Sequence, residues 1–477
     1  MRTFRNILRT LLFIVVVTLA GISIAVQAPS IQGRMADKAA AWLSEKTGAE
    51  VFIGEVNYLL FSNLIINDLL IRTSPSDTLL HVKKLSVSLA RFNPLRQKIR
   101  LRRVIVADGS FHLVLTDSTT NIESLFPVAG SQDTLSQPFR WEIRADRVGI
   151  ENFAYHMINT DLGPSHNNPQ SIDFTDMHIS RIYTDIRDVR LADGKLEARL
   201  DRLTGNERSG YVIGHLEGDV TVDSAQALVE NLVIRDNHSH ITARHFLMHY
   251  GNVKNLSDYL DRVVMELDMD NAFLSFKTIR YYAWSLPEDF TLAVRASGKV
   301  TGTVSNLGAD KLDIQSASGR TRILCGFRMK GLPDAEETTL QIDIDSLHSE
   351  INDLNRVLYS VAGVKLDEIE THAGSLTPFQ FNGSLSGLLT DFVVDGNLKG
   401  DFGSVTLDLL INTNAWADGV LLSGLIRTKA LDLGVFTGIP GLGACTLYTQ
   451  ASAVIRPGGI RDLDIRIDTL SMSSLEF

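Results

Sequence analysis

From Val51 almost to the end of the chain, apolar and polar residues alternate with a period of two. Leu85, Val87 and Leu89 face one way and Ser86 and Ser88 the other, which is the pattern of a strand with one buried face. The same alternation recurs far along the chain. Met265, Leu267 and Met269 alternate with Glu266, Asp268 and Asp270, and Leu340, Ile342 and Ile344 with Gln341, Asp343 and Asp345. Val405, Leu407, Leu409 and Ile411 alternate with Thr406, Asp408 and Asn412, and Leu463, Ile465 and Ile467 with Asp464, Arg466 and Asp468. Early strands are predicted at 64–73, 78–90, 98–109 and 110–116, and the whole pattern predicts about twenty. Ala192-Asp193-Gly194, Val394-Asp395-Gly396 and Ala417-Asp418-Gly419 carry the chemistry of tight turns and are predicted to separate strands.

Few stretches break the alternation. Ile31, Met35, Ala39, Trp42 and Leu43 share one helical face, so Pro29 to Gly48 reads as a helix, with Ser30 placed to cap it and Gly48 to end it. Short helices are predicted at Val253 to Leu260, Thr278 to Trp284 and Glu350 to Val361. The Ser-, Thr-, Gln- and Pro-rich segment from Ser118 to Pro138 reads as a loop or boundary, as does Asp161 to Gln170. Nothing resembles alternating βα units, which argues against a doubly wound enzyme fold.

Before the strands, Thr10 to Gly33 is an uncharged run, preceded by Arg2, Arg5 and Arg9 and followed by Arg34. About 20 apolar residues of helix span a bilayer, and basic residues on the short side mark it as cytoplasmic. The rest of the chain is then expected across the membrane. A cleaved signal peptide is the rival reading, with Val26-Gln27-Ala28 as the processing site; Pro29 and the length of the run favour an uncleaved anchor.

Composition narrows the partners. A net charge of -10 disfavours nucleic acid, whose phosphates require clustered Lys and Arg. Cys325 and Cys445 are too few for a disulfide scaffold. No catalytic signature is present, neither G-x-S-x-G nor H-E-x-x-H, and no cofactor is implied. Gly438, Gly441 and Gly443 lack the Lys-Ser/Thr of a phosphate loop. His238, His240, His245 and His249 lie close in sequence, but in a strand the first two face away from the last two, so no metal site is expected.

An apolar face on some twenty strands must be covered by a second sheet, by closure into a barrel, or by something else apolar held in a curved sheet. In the last case the lining would be diffuse: Met265, Leu267, Met269, Leu340, Ile342, Ile344, Val405, Leu407, Leu409, Ile465 and Ile467. The same residues would equally fill a sandwich core. Lys98, Arg100 and Arg102, pointing to one side of a regular strand, are the candidates for contact with anionic headgroups, against the plainer reading of a solvated face.

The block VQAPSIQGRMADKAAAWLSEKTGAEVFIGEVNYLLFSNLIINDLLIRTSPSDTLLHVKKLSVSLARFNPLRQKIRLRRVIVADGSFHLVL, followed by FQFNGSLSGLLTDFVVDGNLKGDFGSVTLDLLIN and ALDLGVFTGIPGLGACTLYTQASA, resembles the N-terminal part of TamB-like proteins of the Bacteroidetes type. Its first block also resembles the broader AsmA-like superfamily. The resemblance implies a mainly β protein: a long, twisted antiparallel β-groove, half open like a taco, with a few short helices and one N-terminal transmembrane helix. It divides the chain into a cytoplasmic start and anchor at 1–33, an AsmA-like part at 34–117, a loop at 118–138 and a repeating groove at 139–477. It implies a non-enzymatic, single-pass inner-membrane protein, mostly periplasmic, that carries phospholipid toward the outer membrane. The alternative it implies is a scaffold of a translocation and assembly module, partnered by an Omp85-type barrel. Family members run longer, so an N-terminal portion or a truncated member is expected.

Overall fold

The computed structural model describes residues 32–472 apart from several segments, the longest being 122–140, 283–291, 354–377, 413–419 and 435–442. The apolar run up to Gly33 therefore lies almost wholly outside the described residues, as do Ser30, Ile31, Gly438, Gly441 and nearly all of the helix predicted from Glu350. Among the described residues, no helix is long and apolar enough to cross a membrane.

The molecule is mainly β, with 23 strands and three helices among the described residues. The chain falls into two compact units: the first runs to Ser257 and takes back Thr278–Ser285, and the second comprises Asp258–Lys277 and the chain from Leu286 on.

The first unit opens with α1 (Gln32–Thr47). Its end is set locally: the Thr47 hydroxyl donates to the Leu43 carbonyl at 2.7 Å, and Gly48, at φ 71°, donates its N–H to Ser44 O at 2.9 Å. Ser44 Oγ then accepts the N–H of Val51, tying the helix to the first strand. The strands follow as β1 (Glu50–Ile53), β2 (Val56–Leu59), β3 (Asn63–Ser74), β4 (Asp77–Asn93), β5 (Lys98–Leu115), β6 (Glu142–Asn159), β7 (Asp176–Ala192), β8 (Lys195–Glu207), β9 (Val212–Val222), β10 (Gln226–Asp236) and β11 (His240–His249). β1 and β2 share one edge of β3, and from β3 onward each strand pairs with the next.

One pairing departs from the expected antiparallel order: β5 and β6 run parallel, with Lys98 opposite Glu142 and Leu115 opposite Asn159. The intervening segment 116–141 supplies the long return that a parallel pair needs. A second difference is that 98–109 and 110–116 form one strand. Asp108 adopts φ 52° in the middle of it, and so does its register neighbour Asn152 in β6, whose amide donates to Asp108 Oδ1 at 2.6 Å. Asp and Asn tolerate this left-handed conformation, so the strand kinks without ending.

Under α1 lies a closed core. Ala36 and Leu43 pack with Val51, Ile53, Leu64, Ile66, Val87, Ile99, Leu101 and Ile143, all buried, and with Trp42, Phe92 and Trp141 at the margin.

The second unit contains α2 (Tyr259–Arg262), β12 (Val264–Ser275), β13 (Ala293–Thr303), β14 (Asn306–Ser316), β15 (Arg322–Lys330), β16 (Thr339–Ser349), β17 (Phe379–Leu388), β18 (Asp391–Gly400), β19 (Gly403–Asn412), β20 (Val420–Lys429), the two-residue β21 (Leu431–Asp432), β22 (Ala444–Arg456) and β23 (Gly459–Met472). The third helix, α3 (Phe276–Tyr282), carries the crossing point between the units. β12 to β20, β22 and β23 form a simple antiparallel meander. Among the described residues, no pairing within either unit joins its first strands to its last, so neither unit closes into a barrel.

The Ala192-Asp193-Gly194 turn joins β7 to β8 as predicted, with Gly194 at φ 77°. Val394-Asp395-Gly396 does not turn; it lies inside β18, paired with residues 383–385. Gly396 is there because a Cβ would strike the ring of Phe381. Ala417-Asp418-Gly419 lies outside the described residues.

Candidate functional site

Directly opposite residues of paired strands present their side chains on the same face, so the register can be followed across the second unit one strand at a time. Met269 in β12 lies opposite Gly298, Gly298 opposite Leu312, and Leu312 opposite Cys325. Cys325 then meets Ile344, which meets Gly383, which meets Gly396. Gly396 meets Leu407, and the row continues through Ile426 and Thr449 to Ile467 in β23.

Two further rows run beside it. Met265, Gly302, Leu307, Met329, Leu340 and Gly387 lead to Phe392, Ile411 and Leu422. Ala309, Phe327, Ile342, Leu385, Val394 and Leu409 lead through Gly424 and Ala451 to Ile465. Apart from Thr449, every member of the three rows is apolar or glycine. Leu267 stands between Met265 and Met269 on the same face, opposite Val300. Val405 stands two residues from Leu407 and packs at one margin against a small core of Phe379, Phe402 and Leu431. The eleven residues singled out from alternation alone thus share one side of one sheet.

That side is incompletely covered. Leu340, Ile342, Ile344, Leu407 and Leu409 are half-buried, and Ile465 and Ile467 at the last strand are 50% and 54% exposed. The reverse side is ionic: Gln341, Asp343 and Asp345 are exposed between the isoleucines of β16, and Asp408 between Leu407 and Leu409. Arg322 and Asp313 pair across this reverse side at 2.6 Å.

Glycines sit in the apolar rows where neighbouring strands crowd. Gly298 has φ 127°, and a Cβ there would meet the Lys311 carbonyl oxygen and the Leu312 side chain; at Gly424 a Cβ would run into the Asp408 carbonyl. Glycine inside a strand marks such sharp bends and close approaches. The alternation signal did not reach Phe327, Met329, Leu385, Phe392 or Val394, because their strands, such as FNGSLSGL and FVVDGNLKG, replace half of the apolar positions with glycine or carry a turn-like Asp-Gly.

The basic candidates point outward as expected, alternating with buried Ile99 and Leu101, but two have acidic partners. Lys98 Nζ lies 2.6 Å from Glu142 and Arg100 Nε lies 2.9 Å from Asp146. Lys98 and Arg144 together hold the Glu142 carboxyl down to about 2. Arg102 is exposed.

A cluster that sequence reading missed lies in the first unit. His112, His156 and His178 occupy one register row of β5, β6 and β7, with ring centroids 4.6 and 5.5 Å apart. His156 Nε2 lies 2.7 Å from Asp176, which also accepts from Arg208 at 2.8 Å, and these bonds lower the Asp176 pKa. Burial, and then the neighbouring His156, lower that of His112. The three histidines lie 44 and 22 residues from their row neighbours; the parallel pairing of β5 and β6 sets His112 beside His156, and the antiparallel pairing of β6 and β7 sets His178 beside His156. Among the described residues, no group of three or more His, Cys, Asp or Glu could hold a metal ion, and His238, His240, His245 and His249 do not gather into one.

No family model matches this chain, and neither a curated protein nor a solved structure matches it.

Proposed function

We propose that the apolar side of the second unit holds lipid acyl chains, and that the chain serves as a membrane-anchored carrier of phospholipid across the bacterial envelope toward the outer membrane. The observation that carries this reading is the set of three apolar rows, one running from β12 to β23 and two covering parts of that span, without a second layer against them among the described residues. Met269, Ala309, Leu312 and Cys325, near the start of the rows, are buried, but from β16 onward the apolar side chains of the rows stay half-buried or exposed, where a core would be expected to bury them. Each methylene removed from water gains about 0.8 kcal/mol, so a broad face of this kind retains an acyl chain with no directional bond, while the headgroup stays wet at its margin. The likeness of the sequence blocks to TamB-like proteins supplies the envelope setting and the half-open groove. No enzymatic step is assigned.

Face-specific photo-crosslinking in the intact chain tests the reading. Benzoyl-phenylalanine placed at Ile342 or Leu409 should yield adducts carrying phospholipid, whereas the same probe at Asp343 or Asp408, one residue away on the ionic side, should not. Adducts only to other proteins, above all to an outer-membrane barrel, would transfer the assignment to an assembly scaffold. Equal lipid adducts on both sides would mean that the apolar rows confer no selectivity.

A further inference from the structure

Leu95, at the tip of the turn between β4 and β5, is 97% exposed. A lone exposed leucine is ordinary, but this one is held out by a fixed frame at the end of a hairpin with basic arms. Pro94 fixes the backbone before it, Asn93 Oδ1 accepts the N–H of Arg96 at 3.1 Å, and Gln97 donates to Pro94 O at 3.2 Å. Gln97 O in turn accepts the N–H of Glu142 at 2.9 Å, and Phe92 stacks on Trp141 at 5.9 Å behind the turn.

The arms of the hairpin are basic beyond what their acids neutralise. Arg91 lies directly opposite Arg100, Arg100 opposite Arg144, and Arg144 opposite Arg190. Like charges facing one another across strands destabilise a sheet. Glu142 and Asp146 offset the later members of this row, through Lys98, Arg144, Arg190 and Arg100. No acidic partner among the described residues lies within ion-pair distance of Arg91, Arg96, Arg102 or Arg103, and all four are exposed.

We propose that this hairpin is a membrane-docking tip: Leu95 enters the acyl boundary of an anionic lipid surface while Arg91, Arg96, Arg102 and Arg103 meet its phosphates. An anionic bilayer is the partner that uses both features, since a soluble phosphate or an acidic polypeptide has no apolar layer for the leucine. The inference stands on charge and exposure at the first unit, apart from the lipid-holding reading of the second, and the two can fail separately. It differs from a headgroup role for Lys98 and Arg100, whose charges are spent on Glu142 and Asp146.

The test places an environment-sensitive nitrobenzoxadiazole dye at residue 95 of the full chain by Leu95→Cys; Cys325 and Cys445 are buried and do not compete for the label. The chain is reconstituted in nanodiscs of phosphatidylcholine alone or mixed with phosphatidylglycerol. Dye emission should shift to the blue and be quenched by doxyl-labelled lipid only where phosphatidylglycerol is present. The shift should fall with high salt, and the inserted population should drop about fivefold for each of Arg91→Ser and Arg102→Ser. A dye at Asp161, at the opposite end of the same sheet, should not respond. An unshifted dye in both discs, or a shift equal in the two and indifferent to the arginines, would overturn the proposal.

Discussion

The two units apply one pattern to different purposes. Beneath α1, alternating apolar residues are driven to near-complete burial, with Val87 at 2% exposure and Leu64 and Ile99 at 3%. Along β16 and β19 the same alternation, in strands of the same composition, stops at half-burial. The sheet-forming rule is identical, so the difference lies in the covering layer. An amphipathic helix closes the first face, and no equivalent lies over the second among the described residues. Alternation therefore reports that a face is apolar and is silent on what meets it.

The sharpest way to break this comparison is by truncation on both faces. Leu43→Ala removes a side chain from a closed core and should cost about 2–5 kcal/mol, read from the urea midpoint of the full chain. Ile342→Ala, at an already half-wet site, should cost about 1 kcal/mol. Equal losses would mean that the second face is a core after all.

Backbone at the crowded bends gives a smaller but distinct effect. Gly298→Ala puts a Cβ against Lys311 O at a φ that side chains rarely adopt, so it should destabilise by more than about 1 kcal/mol. Gly163→Ala, with open space around it, is the matched control and should leave the midpoint almost unchanged. A neutral Gly298→Ala would mean that the rows need no tight bend there.

The smallest expected effect belongs to an ion cluster of the first unit. Glu142 has its pKa depressed to about 2 by Lys98 and Arg144, so its charged form is preferred in the folded state. Its contribution is present above the unfolded glutamate range and is lost as pH falls through that range toward 2. Glu142→Gln should therefore lower the urea midpoint at pH 7 and converge with the unsubstituted protein as the solution is acidified. A gap that stays constant with pH would detach this cluster from stability.

Particular elements show how far the sequence could be read. The strands from Asn63 to Asn93 and the turn at Asp193-Gly194 follow directly from alternation and turn chemistry. The helix from Gln32 to Thr47 follows from its apolar stripe and Gly48. The kink at Asp108 carries the signature of a strand end, because a residue at positive φ and a turn share the same Asp-Gly pattern. The parallel join of β5 and β6 left no local trace at all, since it depends on where a segment of 116–141 returns. The His112–His156 part of the histidine row was hidden for the same reason. The apolar side of the second unit was legible in its Ile- and Leu-rich strands and invisible in the glycine-rich ones.

The meander from β12 to β23 carries one last consequence. Because each strand bonds to the next, with only the two-residue β21 passed over between β20 and β22, most of its contacts close short loops, and the unit behaves as a one-dimensional array whose cohesion is a sum of adjacent couplings. Such an array can assemble progressively as it leaves the ribosome. It can also part at a single weak junction while the strands on either side keep their structure.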